Sequence, residues 1–150
     1  MENDAVAIAR ALCLRFEGLY LKPYLCPAGI PTIGIGTTAY ENGVRVTLAD
    51  PPITRQRAEE LLLWELRKHC LPATLRLCPN VSQWGPGAVA AIVDFTYNLG
   101  SGNLSASTLR RRILANDRDG AKVELKKWTR GGGKILPGLV QRRAAEAALF

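Results

Sequence analysis

Ala5-Val6-Ala7-Ile8-Ala9-Arg10-Ala11-Leu12-Cys13-Leu14-Arg15-Phe16-Glu17-Gly18 reads as an amphipathic helix that stops at a carboxylate. Ala5, Ile8, Ala9, Leu12, Cys13 and Phe16 recur at helical spacing on one face, and Gly18 supplies the stop. Glu17 therefore sits beside an apolar stripe, at the negative end of a helix dipole. Both surroundings disfavour a second negative charge. A carboxylic acid that keeps its proton near neutrality is what general acid catalysis requires. A solvated glutamate at a helix end fits the same residues, so the stretch from Leu19 to Thr38 decides between them.

Residues 19–31 are rich in proline and read as a loop. Thr32-Ile33-Gly34-Ile35-Gly36-Thr37-Thr38 then alternates, with Ile33 and Ile35 on one strand face and small residues on the other. Asn42-Gly43 marks a turn, and Val44-Arg45-Val46 reads as the return strand. Gly34 and Gly36 leave that hairpin face bare, which suits close approach of a ligand.

Beyond Pro51-Pro52 the pattern turns helical. Thr54 caps a helix expected over 55–71, with Ala58, Leu62 and Leu66 aligned. Ala88, Ala91, Ile92, Phe95 and Leu99 share a second helical face that ends at Gly100. A short helix starts at Ser107, another covers about 119–128, and the last begins near Pro137. The expected architecture is α+β: a small hairpin lobe, a connecting helix and a larger helical lobe with a cleft between. At 150 residues and 47% apolar composition, the whole of 1–150 is expected to form one domain.

No apolar run approaches the roughly 20 residues of a membrane span, and Arg10 and Arg15 break up a signal-peptide reading of the first helix. The four cysteines make no C-x-x-C pair and His69 is the only histidine, so neither metal nor cofactor is expected. Cys13 reads as core. Cys70 and Cys78 flank Pro72 and nothing in the sequence decides whether they pair. Charge is unevenly placed: from Leu104 onward there are eleven Lys/Arg against four Asp/Glu, whereas the first 103 residues balance. A basic C-terminal third points to an anionic partner surface. The aromatics are scattered and make no stacking motif, so nucleic acid is not the expected partner.

Four stretches, in order, resemble the phage-type lysozymes (endolysins). Glu17, eight residues, Cys26, five residues, Thr32 is similar to that family's active-site spacing of Glu, Asp or Cys, and Thr. Around it stand Arg15-Phe16-Glu17-Gly18 and the Pro31–Thr38 stretch. Phe95-Thr96-Tyr97-Asn98-Leu99-Gly100 with Ser105–Leu109 resembles the far wall of the family's cleft. Trp128, Gly131-Gly132 and Leu136-Pro137-Gly138-Leu139-Val140-x-Arg142-Arg143-x-x-Glu146 resemble its C-terminal signature.

The resemblance implies a two-lobed lysozyme-like fold that cleaves the β-1,4 bond between N-acetylmuramic acid and N-acetylglucosamine in peptidoglycan. It assigns Glu17, Cys26 and Thr32 to catalysis, with Gly34, Gly36, Phe95, Asn98 and Ser107 along the substrate. Glycosidic oxygen leaves only once protonated, which is the work of Glu17, and a hydroxyl at Thr32 can orient water on the opposite face. Cys26 stands where a second carboxylate is usual, and only about a few per cent of an ordinary thiol is thiolate at neutral pH. That leaves two alternatives open: a lytic transglycosylase that uses Glu17 alone and yields a 1,6-anhydro sugar, and a non-catalytic wall-binding module. Arg142 or Arg143 is expected to approach Glu17. The further expectations are a monomer made in the host cytoplasm that acts on the periplasmic wall, with peptidoglycan as partner and a separate membrane-permeabilising protein.

Overall fold

The structure, a computed structural model, describes residues 1–150. Its centre is α4, Pro86–Leu99, opened by a proline where no N–H partner is needed and closed by Gly100 at φ +88°. Every residue from Ala88 to Thr96 is buried, because this segment carries a single charged side chain and is otherwise apolar or small all round. α1, Glu2–Glu17, packs along α4 with Ala5, Val6, Ala9, Leu12 and Cys13 turned inward. The expected α+β architecture is the one observed, and Cys13 lies in the core as expected.

Between α1 and the connecting helix lies the small β region. β1, Tyr20–Leu25, pairs antiparallel with β2, Pro31–Gly34. Here the sequence reading fails in part: residues 19–31, expected as a loop, contain the main strand partner of β2. Pro23 and Pro27 argued against a strand, yet Pro23 falls in an irregular stretch of the ladder where its missing N–H is not needed. The Asn42-Gly43 turn forms as expected, with Val44 N–H donating to Asn42 Oδ1 at 3.0 Å and Gly43 at φ +83°. Residues 44–46 return on 38–40 through isolated bridging bonds.

Thr54 caps α2, Arg55–Glu65, its hydroxyl accepting the Arg57 N–H at 3.1 Å. The helical run does not end at 71. It widens into a π turn, Leu66–Cys70, and continues as α3, Leu71–Leu77. Pro72 gives the physical reason, since it has no N–H to offer the carbonyl four residues back and crowds it. Leu71 accordingly bonds five residues back, to the Leu66 carbonyl.

The remainder wraps α4. A 3₁₀ turn (Pro79–Trp84), α5 (Ser101–Ala106), α6 (Thr108–Leu114) and α7 (Arg118–Leu125) lead to α8, Pro137–Ala147. Helix α7 stops three residues short of the expected Trp128, which instead stands edge-on to Phe95 with centroids 5.3 Å apart. α5 and a two-residue hairpin, β3 (Arg130–Gly131) with β4 (Lys134–Ile135), are too short to leave a periodic signal. Tyr97 of α4 ties the two lobes together by donating its hydroxyl to the Ile35 carbonyl at 2.5 Å. No helix is long and apolar enough to cross a membrane.

All four cysteines are free thiols: Cys13, Cys70 and Cys78 are buried and Cys26 is half-buried. Burial pushes the Cys70 and Cys78 thiols up, to about 12 and about 11. In the native protein at pH 8, one thiol is therefore expected to react rapidly with an aromatic disulfide reagent, and all four after unfolding. More than one fast native thiol contradicts this packing.

Candidate active site

Helix α1 delivers Glu17 to the floor of a groove, and the side chain remains 21% exposed. Its surroundings differ from the apolar frame that periodicity suggested. Arg142 of α8 donates from Nη1 to Glu17 Oε1 at 2.6 Å. The same guanidinium grips Asp94 of α4 with both of its other nitrogens, Nε to Oδ2 and Nη2 to Oδ1, each at 2.8 Å. Cys13 Sγ donates to Asp94 Oδ1 at 3.3 Å. One buried cation thus joins α1, α4 and α8 through two carboxylates.

The charges hold each other in place. Burial works against an ionised Asp94, but the hydrogen bonds and charge of Arg142 outweigh it and keep that carboxyl below the ordinary range. Burial likewise works against charged Arg142, and Asp94 and Glu17 more than compensate, so it is held firmly protonated. Arg143, also expected as a possible partner of Glu17, turns elsewhere. It donates through Nη2 to Asn98 Oδ1 at 2.9 Å and to the fully buried Glu146 at 2.8 Å, with its guanidinium 5.3 Å from the Phe95 ring centre. Burial, and then the nearby Asp94 carboxylate, push Glu146 well above the usual glutamate range.

Two chambers lie on either side of the contact between Glu17 and Gly36, Glu17 lining one and Gly36 the other. One, of about 350 Å³, is lined by Glu17, Cys26, Asn98, Arg142, Tyr20 and Tyr24 among others. The other, of about 540 Å³, runs between the hairpin (Gly36–Ala39), the π turn and the end of α4. Gly36, on the border, explains its own residue type: at φ +76°, a Cβ there would stand 2.7 Å from Glu17 Oε2. The oxygen that Arg142 does not hold therefore lies against bare backbone of the hairpin.

The smaller chamber brings together Glu17, Cys26 and Asn98, and Gly36 stands against Glu17 from the larger one. Thr32 lies on β2 opposite Tyr24, only 2% exposed, with its hydroxyl donating to the Ile30 carbonyl at 2.8 Å. Three expected substrate contacts are corrected. Gly34 faces the connecting helix, where a Cβ would stand 3.2 Å from that of Ala58, so its smallness serves packing between lobes. Phe95 is fully buried against Trp128 and Arg143. Ser107 is a helix cap, accepting the Arg110 N–H at 3.0 Å and donating to the Leu104 carbonyl at 2.7 Å. Asp94 was missed, although a lone acid inside an all-apolar helix demands a buried cation and could have been read that way.

The sequence pattern described as phage lysozyme matches residues 14–146. A SAR-endolysin of Enterobacteria phage PA-2 is 46% identical, over 96% of this chain and 86% of its own length. Among solved structures, an endolysin from the Escherichia coli O157:H7 phage FAHEc1 superposes with a TM-score of 0.80. It is 31% identical, over 95% of this chain and 89% of its own. The muramidase domain of SpmX from Asticaccaulis excentricus superposes at 0.73 with 29% identity, covering 95% and 93%.

Asp94→Ala leaves Arg142 without its two-point partner in the interior and is expected to lower stability by about 3–5 kcal/mol. The exposed Arg57–Glu41 pair, shorter at 2.6 Å but a third exposed on each side, gives the contrast: Glu41→Gln costs less than about 1 kcal/mol. Because Asp94 is depressed in the folded state, its stabilisation is complete above the ordinary aspartate value of about 3.9 and lost as pH falls below it. Urea unfolding at pH 7 and pH 3 measures both; equal costs for the two substitutions contradict the network.

Proposed function

The chain belongs to the phage lysozyme family of cell-wall glycoside hydrolases, and we propose that Glu17 is its proton donor. The bond cut is the β-1,4 link between N-acetylmuramic acid and N-acetylglucosamine in bacterial peptidoglycan, and its loss lyses the cell. The observation that carries the reading is the division of labour between the two oxygens of Glu17. Oε1 accepts from Arg142 while Oε2 lies against Gly36, a bare hairpin residue that lines the larger chamber. Asp94 already balances Arg142, so Glu17 adds to a pair rather than answering a lone cation.

In the protonated acid, Oε1 is the carbonyl oxygen that accepts from Arg142 and Oε2 carries the proton. That proton passes to the bridging oxygen as the bond to the anomeric carbon breaks. Water then adds to the oxocarbenium-like carbon, and its surplus proton leaves to solvent or a base. Cys26 lines the same chamber as Glu17, which supports a part for it: as a thiol assisting that water, or as a thiolate that bonds to the anomeric carbon as the bond to the leaving sugar breaks and is later displaced by water. Thr32 is buried on β2, lines neither chamber and has committed its proton to the Ile30 carbonyl, so only its lone pairs remain to accept from a water. Asn98, held by Arg143, presents its amide to the same chamber.

Attraction to anionic wall or outer-membrane components belongs to this proposal too. Arg142 and Arg143 contribute nothing to it, since both are buried, so it rests on the other nine cations of the C-terminal third. It should weaken with salt. Action on the periplasmic wall after synthesis in the host cytoplasm, with help from a membrane-permeabilising protein, completes the proposal.

Glu17→Gln is expected to lower reducing-end release from purified peptidoglycan by at least about a hundredfold with unchanged melting temperature. Retained release would place the acid elsewhere. Mass analysis of wild-type products is expected to show reducing ends; 1,6-anhydro ends would make the enzyme a transglycosylase. If the thiol takes part, Cys26→Ala loses most activity and Cys26→Asp keeps more, whereas equal rates for wild type and Cys26→Ala make it a bystander.

A further inference from the structure

β1 contains an irregularity with a consequence at the groove. Tyr20 is paired with Gly34 and Tyr24 with Thr32, so five residues of β1 span what three span on β2. In a regular strand, side chains four residues apart are about 13 Å from each other. Here the slack, taken up around Pro23, brings the two rings together: centroids 4.1 Å apart, planes inclined by 32°. The pair does not fill the core. Tyr20 is 47% exposed and Tyr24 half-buried, and both line the same 350 Å³ chamber as Glu17 and Cys26. Gly18, at φ +75°, lets the Tyr20 ring lie close over the chain that leaves Glu17, for a Cβ there would stand 3.3 Å from Tyr20 Cε2.

We propose that the exposed ring of Tyr20, backed by Tyr24 stacked against its other side, is an aromatic platform on which the apolar face of a pyranose ring lies, seating one of the sugars next to the bond presented to Glu17. A pyranose shows axial C–H bonds on its faces and hydroxyls at its rim. An exposed aromatic face beside polar groups complements it: the ring takes the C–H face while the rim meets Asn98 and the two phenols. Tyr24 offers no charge, since burial and then the Glu17 carboxylate push its phenol up to about 12. The backbone device and the aromatic pair explain each other, because without the slack Tyr24 stands too far away to back the Tyr20 ring. Tyr20 is the specificity-bearing half, exposed enough to be free of a structural duty. The inference rests on the glycan-cleaving reading above and adds to it the residue that grips the sugar.

The test separates the two. Binding of a tetramer of β-1,4-linked N-acetylglucosamine to the Glu17→Gln protein is followed by calorimetry, which requires no turnover. Adding Tyr20→Ala is expected to weaken it about three- to tenfold. Tyr20→Phe should stay within about twofold, and Tyr20→Leu, which keeps apolar area without an aromatic face, should bind as poorly as Tyr20→Ala. In the active enzyme, Tyr20→Ala raises KM for soluble glycan strands by a similar factor, with unchanged melting temperature. Unchanged affinity in Tyr20→Ala, or full affinity in Tyr20→Leu, overturns the platform. An inactive wild type that binds sugar in a Tyr20-dependent way would keep the platform and remove the catalytic reading.

Discussion

Arg142 brings a positive charge to a place almost closed to water, and the site is built around the way that charge is met. Asp94 takes two of its nitrogens and Glu17 the third, so the guanidinium fixes the relative positions of α1, α4 and α8. A planar, five-donor fork can do this where a lysine ammonium cannot. The buried arrangement costs desolvation, which the multiple charge-assisted bonds offset. Its return is positional: Glu17 keeps one oxygen fixed and presents the other to the groove.

The hairpin supplies the opposite side of that device. Gly36 is bare where Glu17 Oε2 comes against it, and Tyr97 locks the Ile35 carbonyl next door to α4. The acid therefore sits between a rigid helical side and a backbone held at fixed distance from it. Gly34, two residues earlier, uses the same lack of a side chain for a different end, letting β2 settle on Ala58 of the connecting helix. One alternating stretch thus serves packing at one glycine and the reacting group at the next.

Much of this was legible in the sequence. The periodic helices, the Thr54 cap and the Asn42-Gly43 turn follow from local rules, because each depends on neighbours in sequence. Glu17 could be read from a helix end and its following hairpin. Other features escaped. Phe95 and Ser107 belong to a stretch near the groove, but helical geometry turns the first into the core, and the second spends its hydroxyl on a cap. β1 was hidden by Pro23, since only the presence of β2 shows that this proline falls where the ladder is already broken. The π turn needed Pro72 to be weighed as a distortion rather than an end.

The most direct test of the account is a crystal structure of the wild-type enzyme with a glycan fragment spanning the cleaved bond, frozen before turnover. The account predicts Glu17 Oε2 within about 3 Å of the bridging oxygen, with Oε1 still held by Arg142 and Arg142 still clasping Asp94. A bridging oxygen beyond reach of Glu17, or a Glu17 that has left Arg142 to meet the sugar, would contradict it.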